Sequence, residues 1–234
     1  MKKLALIVGH DKKQQGATSH KNLKMSEYAY GREVAALAQR YAKGKCDVHV
    51  ILRDYIGITG AYNRAKEIKP DACIELHFNA YDGSVQGTEI LYHDDRDMDP
   101  ELERRFGQKL LDNMYEIFDR GRRGKRGKKE PQTRDERGWY NVSRVQAFPC
   151  VLVEPFFGDN PEDAQMAKDK MDEYAHSLID AFMACFEKNS EAKSKSEERR
   201  QEIMGQDSEV ATDQNMTENK PKKKKRGSRR KRKG

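Results

Sequence analysis

Apolar and polar positions alternate in blocks along the first 187 residues. Leu4 to Val8 is an unbroken apolar run, closed by Gly9-His10, and predicts a buried strand. A polar loop from Asp11 to about Met25 follows. From Ser26 to Lys43 the residues Tyr30, Val34, Leu37 and Tyr41 recur at steps of four and three, which places them on one helix face. Ser26 suits the N-cap and Gly44 the C-terminal stop. Val48 to Leu52 predicts a second strand, and Ile58 to Ile68 a short helix ending before Pro70. Ala72 to Leu76, running into His77, and Gly87 to Tyr92 predict two more strands. Asp99-Pro100-Glu101 opens a long helix with Leu102, Phe106, Leu110, Met114 and Ile117 inward.

Arg120 to Lys129 holds seven basic residues in ten and three glycines, and predicts a loop. Trp139 to Val142 and Cys150 to Val153 predict the last strands. Asn160-Pro161-Glu162-Asp163 caps a final helix with Met171, Tyr174, Leu178, Phe182 and Phe186 on its face. Strands alternating with helices predict a single α/β domain, a mostly parallel or mixed twisted sheet with helices on both faces. The apolar periodicity ends near Phe186. From Asn189 aromatics vanish and Lys, Glu, Ser and Gln dominate, so residues 1–188 are expected to be the folded domain and residues 189–234 a disordered tail.

Charge sharpens that boundary. The net charge of +7 in 234 residues lies wholly in the tail, where 15 Lys/Arg face 8 Asp/Glu; residues 1–188 hold 31 of each. Lys220 to Gly234 carries eleven basic residues and no acid. A neutral body with a basic end argues against a fold built around nucleic acid. The tail's composition suits nucleic acid, acidic wall polymers or an anionic lipid surface. No apolar run reaches membrane-spanning length. Met1-Lys2-Lys3 precedes too short an apolar run for a secretory leader, so synthesis in the cytoplasm without a signal peptide is expected. Cys46, Cys73, Cys150 and Cys185 form no C-x-x-C pair and are expected to be buried free thiols.

The candidate chemistry lies at strand ends. His10, His77 and Glu154 each close an apolar strand, and in open α/β sheets ligand sites gather beyond the carboxyl ends of strands. Glu27 sits in the first turn of the first helix. Two histidines, a carboxylate and an open position can form a hydrolytic zinc site, with a further carboxylate to take a proton from water. Spacings of 17 and 50 residues between His10, Glu27 and His77 match no local ligand rule, and each residue taken alone also has a structural reading. Glu154, a carboxylate ending a buried strand, needs a partner to offset its desolvation.

Four stretches together resemble the zinc-dependent N-acetylmuramoyl-L-alanine amidases of the amidase-3 type. They are Val8-Gly9-His10, Glu27 with the amphipathic helix after it, Asp71 to Ala80 with Gly87-Thr88-Glu89 downstream, and Pro149 to Glu154 with Asn160 to Asp163. Arg53-Asp54 and Arg64-Ala65 fall where that family has an arginine–aspartate pair and an arginine. The resemblance covers roughly residues 1–187. It implies one zinc held by His10, Glu27 and His77, with Glu154 as the catalytic carboxylate. Asn79, Arg64 and Glu89 are near-site candidates for binding substrate. The implied architecture is similar to that of zinc exopeptidases, and the implied reaction cuts the amide between N-acetylmuramic acid and L-alanine in peptidoglycan. Without a leader or wall-binding repeat, the chain resembles phage lysins, which pass from the host cytoplasm to the wall. A carboxypeptidase of the same fold and a binding module acting through the tail are the alternatives.

The chain departs from the family pattern at Asp11, where glycine is common, and at Phe156-Phe157, where glycine-phenylalanine is usual. Glu75 stands where a small hydroxyl residue is common. It shares a strand face with His77 and is a candidate partner for it. Among the other histidines, His20 suits a solvated loop, His49 and His176 structural or boundary roles, and His93 a substitute ligand. The basic loop Arg120 to Lys129 either steers an anionic polymer or is a solvated insertion.

Overall fold

The computed structural model describes residues 1–92, 100–118, 127–129, 138–143 and 147–186. In chain order these form β1 (Lys3–Val8), α1 (Glu27–Tyr41), β2 (Asp47–Ile51), α2 (Gly57–Ile68), β3 (Ala72–Leu76), β4 (Glu89–Tyr92), α3 (Pro100–Ile117), β5 (Gly127–Lys129), α4 (Trp139–Val142), β6 (Cys150–Glu154), α5 (Pro161–Asp169) and a last helix, α6, over 171–186. The strands make one mixed sheet in the order β2-β1-β3-β6-β4-β5. Neighbours run parallel except β4 and β6, which pair antiparallel.

The alternation within each strand divides the core. Leu4, Leu6 and Val8 of β1, with Ala72, Ile74 and Leu76 of β3, pack with Val34, Ala35 and Ala38 of α1 and with Phe182 of α6. Ala5, Ile7 and Cys73 point to the opposite face and meet Ala61, Tyr62 and Ala65 of α2. A central strand buried on both faces reads as a continuous apolar run, which is why β1 shows no alternation in sequence. Each Leu, Ile or Val so buried contributes about 1.5–3 kcal/mol. The helices α1 and α2 thus cover opposite faces. The chain leaves β1 for β2 on one side and returns to β3 on the other, so a topological switch point lies between β1 and β3.

Local signals held at most element ends. The Ser26 hydroxyl caps α1 by accepting from the Ala29 amide. Asn160 caps α5, accepting from the amides of Glu162 and Asp163, with Pro161 in the first turn. Gly44 takes φ +80° beyond α1, and α2 ends at Lys69, whose amide returns to the carbonyls of Ala65 and Lys66. All four cysteines are buried and free.

Three expectations are corrected. Trp139–Val142 is a helical turn, not a strand: Gly138 reverses the chain at φ +83°, and the amides of Asn141 and Val142 close on its carbonyl. Gly127–Lys129, read as part of a loop, is an edge strand parallel to β4; backbone pairing there needs no apolar side chain. The final helix is two. Lys170 leaves helical geometry at φ −111°, ψ 14°, between the small buried face of α5 (Ala164, Ala167) and the large one of α6 (Tyr174, Leu178, Phe182, Phe186). On α3, Phe106, Leu110 and Met114 are buried, whereas Leu102 and Ile117 are only partly so. Asp99, His93, Arg120 to Arg126 and the segment from Asn189 lie outside the described residues.

Candidate active site

The carboxyl ends of β1, β3 and β6 lie side by side, because these strands are parallel neighbours in matched register. Val8 aligns with Leu76 and Leu76 with Val153. Beyond those rungs the Gly9 amide donates to the Leu76 carbonyl at 3.0 Å, and the His77 amide to the Val153 carbonyl at 3.1 Å. His10, His77 and Glu154 therefore emerge along one edge, His10 and His77 flanking the switch point. Glu27 arrives from the first turn of α1, with 7% of its surface exposed.

Three of these side chains touch. Glu27 Oε2 lies 3.1 Å from His10 Nε2 and 2.9 Å from His77 Nδ1. The rings of His10 and His77 meet edge to face at 4.9 Å between centroids. The other carboxylate oxygen, Oε1, accepts from the Ala17 amide at 2.9 Å, which ties the loop before α1 to the cluster. The backbone is shaped around this contact. A Cβ on Gly9 would come within 2.5 Å of His77 Cε1; one on Gly16, at φ +75°, within 2.5 Å of His10 Cδ2. His10 itself adopts φ +64°, a conformation that costs a non-glycine residue of order 1–3 kcal/mol and recurs at functional sites.

A second carboxylate lies behind the first. Glu75 is fully buried. Its Oε1 accepts from His77 Nε2 and Arg53 Nη1, each at 3.2 Å. Its Oε2 accepts from the Tyr62 hydroxyl at 2.5 Å and Asn141 Nδ2 at 2.6 Å. The expected approach of Glu75 to His77 along their shared strand face is thus observed.

These contacts set the charges. Burial alone would raise the Glu27 carboxyl, but the bonds from His10 and His77 outweigh it and hold it at about 2. Burial is likewise outweighed at Glu75, where His77, Tyr62 and Asn141 hold the carboxyl at about 2. Burial would lower His77, yet its bonds to Glu27 and Glu75 raise it to about 10. The field of two buried carboxylates thus favours positive charge at the centre.

That donor set fits a metal ion. One ligand atom each from His10, Glu27 and His77 lie within 4.8 Å of one another. Two imidazoles and a carboxylate, with a side left open, are the composition of a hydrolytic zinc site. The open side is at His10, whose side chain is 30% exposed against 11% for His77. Next to it a cleft of about 230 Å³ is lined by Asp11, Lys12, Gln14, Arg53, Asp54 and Tyr55. Asp54 holds this rim together, accepting from the Lys12 amide at 3.0 Å and the Tyr28 hydroxyl at 2.8 Å.

Glu154, 5% exposed, pairs across the antiparallel rungs with Glu89, which is fully buried. Asn79 Nδ2 donates to Glu89 Oε2 at 3.0 Å, so Asn79 and Glu89 sit next to the Glu154 strand end. Arg64 is not brought to the cluster. It is exposed on α2 and pairs with Glu67 at 2.9 Å. Arg53, one turn of chain before α2, is the arginine that reaches the site through Glu75. His20 accepts from the Asn22 amide, His49 pairs with Asp47, and His176 stacks on Tyr41 at 3.9 Å, and none of the three belongs to the cluster. Tyr62 and Asn141 escaped the sequence reading: neither has a motif, and Asn141 lies in the segment read as a strand.

A search of solved structures returns several chains with this architecture. Cwp6 from Clostridium difficile aligns with a TM-score of 0.66 at 24% identity, over 79% of this chain and 29% of that one. This chain thus spans under a third of the length of Cwp6. The catalytic domain of the CD27L endolysin, targeting Clostridia difficile, aligns at TM-score 0.55 and 26% identity over 77% of this chain and 96% of that one. An N-acetylmuramoyl-L-alanine amidase from Clostridium difficile 630 aligns at TM-score 0.62 and 16% identity over 82% and 98%. No protein of curated function matches the chain closely enough to count. The family model described as "Amidase_3: N-acetylmuramoyl-L-alanine amidase" matches residues 4–183, which run from β1 into α6 and include every residue of the cluster. By that match the chain belongs to the N-acetylmuramoyl-L-alanine amidase family.

Proposed function

We propose that the chain hydrolyses the amide between N-acetylmuramic acid and the L-alanine of the peptidoglycan stem peptide, with one zinc ion per chain held by His10, Glu27 and His77. The observation that carries this reading is the contact of those three donors within a chain of this family. A bound zinc would supply Lewis acidity, polarising the scissile carbonyl and lowering the pKa of water. Glu154, at the neighbouring strand end, acts as the general base that takes the proton of the attacking water and returns it to the leaving amine. Asn79 and Glu89, beside that strand end, line the approach of substrate. His10, the more open of the two imidazoles, borders the entrance.

The catalytic unit is taken as residues 1–188, and the tail 189–234 as an electrostatic tether to anionic wall polymers. Likeness to an endolysin domain supports a lysin that reaches the wall from the host cytoplasm. Among the described residues no helix is long and apolar enough to cross a membrane. The experiment is product analysis on purified peptidoglycan, with and without chelator. New N-terminal alanine, lost on chelation and restored by zinc, is the expected result. Release of C-terminal amino acids instead would make the protein a carboxypeptidase, and no product at all would leave a binding module.

A further inference from the structure

The reaction needs a general base and three metal donors, yet a further carboxylate, Glu75, is buried directly behind the donor His77. Glu75 has no solvent exposure and four partners: His77, Arg53, Tyr62 and Asn141. These come from four separate elements or connections, namely the end of β3, the turn after β2, α2 and α4. Removing an isolated carboxylate from water costs several kcal/mol, so such a group persists only where its bonds offset that cost. The arrangement is also one-sided. Tyr62 and Asn141 both engage Oε2, which leaves Oε1 aimed at His77 Nε2 and Arg53 Nη1.

The orientation of the His77 ring follows. A neutral imidazole carries one proton, on whichever nitrogen finds the better acceptor. Nε2 faces Glu75 Oε1 at 3.2 Å; Nδ1 faces Glu27 Oε2, beside His10. We propose that Glu75 is a positioning residue for His77: it accepts the Nε2 proton and leaves Nδ1 as the nitrogen that meets the metal. Tyr62 and Asn141 lock the carboxylate from behind, and Arg53 shares its front oxygen. A carboxylate behind a ligating histidine fixes its tautomer and raises its basicity, and losing such a partner typically costs about 10–100-fold in metal affinity. The inference rests on the zinc site proposed above.

The test uses the full-length protein loaded with zinc. Nitrogen-15 NMR of the histidine rings identifies which nitrogen of His77 carries the proton, and competition with a chromophoric chelator measures zinc affinity. In the unaltered protein the proton should sit on Nε2. Glu75→Leu removes the acceptor; zinc affinity should fall about 10–100-fold, and the Nε2 proton should become exchangeable. Glu75→Gln keeps the shape and an acceptor oxygen. It should retain the Nε2–H tautomer and lose several-fold in affinity, and it decides the matter alone if the leucine variant does not fold. A proton on Nδ1, or unchanged affinity and proton position in a folded variant, overturns the positioning role while leaving the zinc site intact. An unaltered protein that takes up no zinc overturns both.

Discussion

At His77 one ring is gripped by two carboxylates, and the consequences differ for proton and metal. In the metal-free protein, bonds to Glu27 and Glu75 outweigh burial and raise its pKa to about 10. A ligating imidazole must be neutral, so metal binding below that value expels a proton. Glu27, held at about 2, is already ionised at neutral pH and releases none. Between pH 7 and 9 the apparent zinc affinity should therefore rise with pH, by about tenfold per unit for one proton released. Calorimetry in buffers of different ionisation enthalpy reads the proton directly, and a pH-independent affinity would remove the charge from His77. Substitution separates the roles of the strand-end residues. His77→Ala takes away a donor, and elemental analysis should show zinc strongly reduced. Glu154→Gln keeps the side-chain shape without the base, so zinc should remain while turnover falls about 10²–10⁴-fold. Near-normal turnover in that variant would exclude Glu154 as the base.

The N-terminus of α1 joins fold and site in a single turn of helix. Ser26 accepts from the Ala29 amide and donates to Gln15 Oε1 at 2.8 Å, and the next residue is the ligand candidate Glu27. The turn is further tied to the loop before it, since the Glu27 amide donates to the Ala17 carbonyl while its Oε1 accepts from the Ala17 amide. Ser26→Ala removes the cap and should lower stability by about 0.5–2 kcal/mol, read by denaturant unfolding. Because Glu27 is positioned by the same turn, zinc affinity should fall in parallel. A variant that loses stability but binds zinc unchanged would mean that Glu27 is held by the loop and the histidines rather than by the helix start.

On the scale of the whole molecule, the body is electrically neutral and the excess charge is terminal. Residues 1–188 contain every residue of the cluster, and the family match ends at residue 183. Deleting 189–234 should leave zinc content and hydrolysis of small soluble muropeptides intact. It should slow action on whole anionic walls, chiefly at low salt, because exposed charges attract over about 10 Å at 0.1 M salt and over less as salt rises. Rates of full-length and truncated protein on walls across a salt series decide this. Identical rates throughout would exclude tethering, and collapse of muropeptide hydrolysis would move the domain boundary.

How much of this is legible in the residues alone depends on the range of the interaction. Buried parallel strands announce themselves as apolar runs, and helix starts by their caps, so β1, α1, β3 and β6 lie within a residue or two of their expected positions. His10, His77 and Glu154 could be picked out as polar groups closing buried strands, and Glu27 more loosely as a helix-start carboxylate, while their joint roles came from the resemblance to a family. Short segments defeat such signals. Trp139–Val142 has the composition of a strand but closes its hydrogen bonds locally after Gly138, and Gly127–Lys129 pairs through backbone groups that its basic side chains do not advertise. The break at Lys170 likewise reflects how α5 and α6 meet the core, not a local stop residue. The partners of Glu75 are the clearest case. Tyr62 and Asn141 stand 13 and 66 residues from it and carry no spacing rule. Only the crossover that lays α2 against β1, and the turn that sets α4 beside β6, brings their polar atoms to one carboxylate. Local propensity and burial pattern act over a few residues and are written into the chain, whereas the choice between Arg64 and Arg53 at the site depended on tertiary placement: α2 lays Tyr62 against Glu75 and leaves Arg64 exposed, while the turn after β2 brings Arg53 to the carboxylate.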